Sequence, residues 1–322
     1  MRALRSALLA LFVAAAAAAQ SPDSAPPTLR LTFDWPKDLT ASVTSTTRRS
    51  RSAETTTERV ATTRFGMRVE PLGENLRIRF SNPTIALEEG ALDPFPKSAQ
   101  PELIEQLASM MPDYVVTRSG TFVSVHDLPG FHARFERFMA DVLPKDTAPQ
   151  TLARIRQLLA TSDVLNAAAA EQWNAAVGAW VKSELEPGRR YTFESREPLP
   201  LLPGQEVRMQ YELTAKRRLP CTRGGVERSC ALLELRSVAD PEDTQRALRS
   251  FLAGFAGSPD APPALRSFAV QNRVEVVTEP DGLVPHRYRI TKTVRGSLRE
   301  DGAERSFEQV DDTRVEYTYP EN

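Results

Sequence analysis

Soft-ligand and redox chemistry is the first thing this sequence lacks. It holds two cysteines and three histidines in 322 residues: Cys221 and Cys230, and His126, His132 and His286. Two cysteines cannot make a closed zinc site alone, and three scattered histidines add little to them. Eight residues separate the cysteines, where a thioredoxin-like pair has two. Catalytic signatures are missing as well: no G-x-S-x-G, no H-E-x-x-H and no phosphate-cradling glycine loop. Gly224-Gly225 opens no helix and reads as a turn. No metal and no cofactor is implied.

An excess of one charge is also absent. Lys and Arg number 41 against 42 Asp and Glu, for a formal net charge of −1. Losing Arg2 and Arg5 with a leader takes it to near −3, so no overall field draws in a polyanion and no nucleic-acid partner is expected. Lysine is confined to Lys37, Lys97, Lys145, Lys182, Lys216 and Lys292, while arginine and alanine abound. That bias reads as the codon usage of a GC-rich bacterial genome.

Long apolar runs are limited to the amino terminus. Arg2 and Arg5 precede the run Leu8–Ala19, which is shorter than the ~20 residues of a membrane span. Ala17 and Ala19 supply small residues for signal peptidase. Residues 1–19 therefore read as a secretory signal peptide and 20–27 as a Pro/Ser linker. No cysteine follows to carry a lipid anchor, and no transmembrane span is expected in the mature chain. The expected location is the bacterial periplasm or exterior, where thiols oxidise. There Cys221 and Cys230 read as a disulfide closing a hairpin, with a four-residue loop Gly224–Glu227 placing the two cysteines opposite each other; two free thiols are the alternative.

What the sequence does contain is alternation. Leu29, Leu31, Phe33 and Trp35 fall on one face, as do Phe65, Met67 and Val69, and Leu76, Ile78 and Phe80. Between the first two sets runs a Thr-rich polar reach with strand propensity, read as two solvent-facing strand ends meeting in a basic tip at Arg48, Arg49 and Arg51. A turn is expected at Leu72–Asn75. The middle reads as helical: a helix over 101–111, a short hairpin across Ser119-Gly120, then a helix with Phe131, Phe135, Phe138 and Met139 on one face. Another helix runs through Leu152, Ile155, Leu158 and Leu159, and a last one spans 163–185 with Trp173 and Trp180. Strands return with Val207, Met209, Tyr211 and Leu213, one helix over 241–256 carries Phe251, and a meander follows with hairpin signals at Asp281-Gly282 and Asp301-Gly302.

The order strands, helices, strands predicts an α+β fold: one large curved antiparallel sheet with several helices packed on one face. Residues 28–322 form a single domain, with amino-terminal strands over 28–87, a helical middle over 101–186 and carboxy-terminal strands over 190–320. Strands from the two chain ends are expected to pair. The layout, with VVTRSGTFVSVHDLPGF, AWVKSELEPGRRY and PDGLVPHRY in succession, resembles a group of bacterial secreted or lipoprotein chains of unknown function. More loosely it is similar to periplasmic lipoprotein carriers, whose curved sheet encloses an apolar cavity. The first resemblance implies no activity; the second implies only a layout.

Three functions follow as expectations. The first is a non-enzymatic envelope protein that binds an apolar small molecule or an envelope protein, with Phe131, Phe135, Trp173, Trp180 and Phe251 either filling a closed core or lining a pocket. The second is a hydrolase built on His126 with Asp127 and Ser124, although neighbouring strand residues face opposite ways and Asp127 is better placed to cap the helix after it. The third is an interaction module whose Thr-rich hairpin offers a sheet edge. Glu88-Glu89 and Asp311-Asp312 read as solvated surface pairs.

Overall fold

The computed structural model describes residues 28–53, 55–88, 100–142, 162–198, 206–256, 264–300 and 303–321. The expected signal peptide and linker over 1–27, and the helix through Leu152 to Leu159, lie outside the described residues.

Alternating apolar residues over 65–69, 76–80 and 207–213 become strands as expected, whereas the run Leu29 to Trp35 breaks into two short pieces that leave Leu31 and Trp35 outside any strand. β1 (Leu29–Arg30) and β2 (Thr32–Phe33) are followed by β3 (Thr40–Ser52), β4 (Thr56–Leu72) and β5 (Asn75–Leu87). The middle holds α1 (Gln100–Ser109), β6 (Tyr114–Thr117), β7 (Phe122–Val125), α2 (Leu128–Val142), α3 (Ser162–Ala176) and β8 (Glu184–Leu185). The last part holds β9 (Arg190–Pro198), β10 (Glu206–Arg223), β11 (Val226–Ala239), α4 (Pro241–Ala256), β12 (Ala264–Thr278), β13 (Asp281–Gly282), β14 (Pro285–Glu300) and β15 (Ala303–Thr318).

Eleven of these strands make one antiparallel sheet in the order β7-β6-β5-β4-β3-β15-β14-β12-β11-β10-β9. It is two meanders joined where β3 pairs with β15, from Ser42↔Thr318 to Ser52↔Glu308. The expected pairing of the two chain ends is therefore present. The large antiparallel sheet is as expected; the protein is mainly β, with a smaller helical share than the α+β reading implied. Strands outgrow their apolar alternation: β10 reaches 18 residues and β4 reaches 17. Polar sequence is carried along because a strand paired on both sides satisfies its backbone whatever its side chains.

Three local readings change. The helix expected over 163–185 ends at Ala176. At Gly178 the chain runs so close to Asn174 that a Cβ would stand 2.2 Å from its Oδ1. Beyond it, Lys182 donates its backbone N–H to the Leu31 carbonyl and Leu31 donates to Ser183, so pairing with β1 overrides helix propensity. Asp281-Gly282 is not a simple hairpin turn: it pairs in parallel with Thr32 and Phe33 of β2. The turn of the β10–β11 hairpin is the two-residue Gly224-Gly225, both at positive φ as a type I′ turn requires, not a four-residue loop.

Register assigns the side chains to faces. Leu213, Leu235, Val274, Ile290, Thr313 and Thr47 follow one another across the strands, so they share one face, here called inner. The main core lies on that face. It gathers Val43, Met67, Val69, Ile78, Leu233, Val276 and Val315 with Trp173 and Trp180. A smaller cluster of Val207, Ala239 and Ala247 of α4 lies further along the same face. The outer face carries the even-numbered residues of β11 and their neighbours, Glu234 and Cys230 among them.

Candidate functional site

A cavity of about 620 Å³ lies between the inner face and the helices α1 and α3. Its wall changes character across the sheet. On one side β4, β5 and α1 supply Phe65, Met67, Ile78, Phe80 and Leu107, with Met110 just after α1. On the other, β3, β15 and β14 supply Ser45, Thr47, Arg49, Asp311, Thr313, Lys292, Tyr288 and Tyr317. The reason is visible along β3: Ala41 and Val43 are core, and the same face continues as Ser45, Thr47 and Arg49. The Thr-rich reach thus does not simply face solvent; half of it is one wall of the cavity.

The apolar side is held by aromatic edge-to-face contacts. Phe65 meets Phe80 at 5.3 Å, Phe80 meets Tyr114 at 5.1 Å and Tyr114 meets Phe122 at 5.8 Å between ring centres. The Tyr114 hydroxyl donates to Gln172 Oε1 of α3 at 2.8 Å, tying helix to sheet. The polar side is less complete. Thr47 and Thr313 share a hydrogen bond at 3.0 Å. Arg49 binds Asp311 through Nε and a second guanidinium nitrogen, and Gln309 donates to Asp311 Oδ2. Tyr288 and Tyr317, 6.3 Å apart between ring centres, have no hydrogen-bond partner for their hydroxyls among the described residues. Burial pushes both phenols well above the ordinary tyrosine range, and the neighbouring tyrosines push Tyr317 further. Lys292 is half-buried and has no acidic partner among the described residues.

The residues expected to line a pocket are dispersed. Trp173 does line the cavity; it is 4% exposed, packs edge-on against Trp35 at 5.3 Å and donates Nε1–H to the Gly120 carbonyl at 2.8 Å. Gly120 is needed there, because at its φ of +86° a Cβ would press on the Phe33 ring at 2.6 Å. Trp180 is fully buried, with Nε1 bonded to the Ala175 carbonyl, and belongs to the closed core. Phe131 and Phe135 stack on each other along α2 at 6.3 Å, away from the cavity wall. The side chain of Phe251 lies outside the described residues.

His126 has no carboxylate or serine bonded to its imidazole among the described residues. Asp127, at a φ of 51°, turns its Oδ1 to accept from the Gly130 N–H at 3.2 Å, and so caps α2. The Thr-rich hairpin offers no sheet edge: β3 lies between β4 and β15, and β4 between β3 and β5. The end strands are β7 and β9. Nor are Asp311 and Asp312 a solvated pair. Consecutive residues in mid-strand, they face opposite ways, Asp311 to Arg49 on the inner face and Asp312 to Arg289 on the outer. The hydrogen bond from Arg289 holds the Asp312 carboxyl below its usual range against the opposing effect of burial.

Cys221 and Cys230 form a disulfide, with Cα atoms 5.8 Å apart. Register sets Cys221 opposite Arg228 and Cys230 opposite Leu219, so the bridge runs diagonally across the hairpin, not between facing residues as expected. A nitrogen of His286 lies within 4.8 Å of both sulfurs. His286 Nε2 also approaches Glu279 Oε1 at 3.1 Å, and Glu279 pairs with Arg223 at 2.9 Å. Among the described residues no helix is long and apolar enough to cross a membrane. The cavity wall is what the sequence reading missed. Its signal was the continuation of one strand face from apolar into hydroxyl-bearing residues, which looks like solvent exposure until a helix is laid over it. Compared with known proteins, the chain matches no protein-family profile and no curated protein sequence.

Proposed function

We propose that this is a non-enzymatic protein of the bacterial envelope, exported by its amino-terminal leader, that holds an apolar small molecule between its sheet and α1 and α3. In this reading the sheet curves round the helices, as in the periplasmic carriers its layout resembles. The carrying observation is the cavity of about 620 Å³ with one wall of apolar side chains, a volume within the ~300–1,000 Å³ of small-molecule sites. The Cys221–Cys230 disulfide supports the location, since such bridges persist in oxidising compartments.

Native mass spectrometry of the protein purified from its periplasmic fraction tests this. A co-purifying mass of a few hundred daltons, released by organic solvent and lost in an Ala108→Trp variant that fills the cavity beside α1, is the expected outcome. A ligand-free spectrum, together with no binding of any added long-chain amphiphile, removes the proposal.

A further inference from the structure

Register draws a polar row straight across the inner face. Tyr211 stands opposite Ser237, Ser237 opposite Asn272, Asn272 opposite Lys292, Lys292 opposite Asp311 and Asp311 opposite Arg49. Such a row needs a cause at its buried centre, because unpaired polar groups in a buried setting cost stability. Its outer members have partners: Arg49, Asp311 and Gln309 bind one another. The centre does not. Ser237 is 6% exposed and Asn272 Oδ1 is buried, and neither side chain has a hydrogen-bond partner among the described residues. Lys292 beside them is unpaired although Asp311 is its neighbour in register, because Arg49 already occupies that carboxylate. Along β14 from Lys292, past Ile290, and along β15 from Asp311, past Thr313 and Val315, the phenols of Tyr288 and Tyr317 also have no hydrogen-bond partner among the described residues.

From this we infer that the molecule held in the cavity, on the reading given above, is a single-chain amphiphile with an anionic carboxylate head, and that Lys292 binds the head. The apolar side, Phe65, Phe80, Met67 and Leu107, takes the chain. The opposite side offers donors in excess: the Lys292 ammonium and the hydroxyls of Tyr288 and Tyr317 line the cavity. A carboxylate accepts such donors and cannot compete with them. One other carboxylate lines the cavity, Glu171 of α3; it is exposed and makes no ion pair with Lys292. A cationic head would meet Lys292 directly and is disfavoured.

The test uses cis-parinarate, a fluorescent long-chain carboxylate, with the full mature chain. Hexadecanoate, hexadecan-1-ol and hexadecyltrimethylammonium then compete for it. Hexadecanoate is expected to displace the probe about tenfold more tightly than the alcohol, as one charge-assisted hydrogen bond implies, and the trimethylammonium compound least well. In K292A and K292Q that preference should vanish while affinity for hexadecan-1-ol stays, and in K292R it should persist. Circular dichroism shows that each variant folds, and K292Q serves if K292A does not. Equal displacement by acid and alcohol in the wild type, or a preference that survives both K292A and K292Q, overturns the anionic head but leaves the cavity reading standing. Failure of all four compounds to bind overturns both.

Discussion

The two faces of the sheet treat charge and polarity in opposite ways. On the outer face, Glu234 is 2% exposed in its side chain yet is met by Lys216 at 2.9 Å, Arg236 at 3.0 Å and Arg273 at 2.6 Å. Burial alone would raise its carboxyl; the cations Lys216 and Arg273 beside it outweigh that and hold it low. Asp312 with Arg289 repeats the arrangement two strands away. On the inner face, phenols, an amide and an ammonium stand without partners. The contrast is one of charge: the outer face sets cations around its buried carboxylates, and the inner face leaves Lys292 without an acidic partner among the described residues. Three cations surround Glu234, although its Oε1 makes no aligned hydrogen bond.

The contrast should break first with pH. A phenol whose pKa is raised on folding gives stability that is whole below about pH 10 and is lost as pH rises through the folded value. Tyr114, Tyr288 and Tyr317 are all raised, first of all by burial, and Tyr211 on the same face is pushed up to about 12. Urea midpoints measured from pH 9 to 12 should therefore fall steadily as pH rises. The outer face sets the acid limit with the opposite sign. The lowered carboxyls of Glu234 and Asp312 contribute above about pH 4, the ordinary carboxylate range, and lose that contribution as pH falls through their folded values. Glu234→Gln should flatten the acid limb and leave the alkaline limb unchanged. An alkaline limb that is flat in the wild type would show the tyrosines to be solvated.

The next effect is the disulfide, which fastens the outer face at the β10–β11 hairpin. A Cys221→Ser, Cys230→Ser double variant should lose about 2–3 kcal/mol, the range for a short loop, read as a lower denaturation midpoint that reductant no longer moves. Smallest is a hydroxyl-by-hydroxyl comparison within the inner face. Tyr114→Phe removes a made hydrogen bond and should cost about 1 kcal/mol. Tyr288→Phe removes an unmade one and should change neutral-pH stability by less than about 0.5 kcal/mol. If the two cost the same, the Tyr288 hydroxyl has a partner in solution.

The strands were legible because their faces alternate. Leu76, Ile78 and Phe80 announced β5, and the glycine pair at 224–225 announced its hairpin. The disulfide was legible from two cysteines near one turn; its diagonal register was not, because the turn length sets register and sequence alone admitted two lengths. The polar row was illegible in principle. Ser237, Asn272, Lys292 and Asp311 are far apart in the chain, and only strand register makes them neighbours. The aromatic set misled for the same reason: Trp173 and Phe131 share a helical composition, but α3 lies over the sheet and α2 carries its own stack.

The ladder at the centre of the sheet joins distant stretches of the chain, Val43 with Tyr317 and Ser52 with Glu308. Such distant pairing is entropically slow to form. During synthesis, the first meander must wait with β3 unpaired along one side until β15 emerges. Arg48, Arg49 and Arg51, set along that waiting edge, are charges of the kind that discourage strand-to-strand aggregation. The basic cluster thus protects an edge that exists only before the protein is finished.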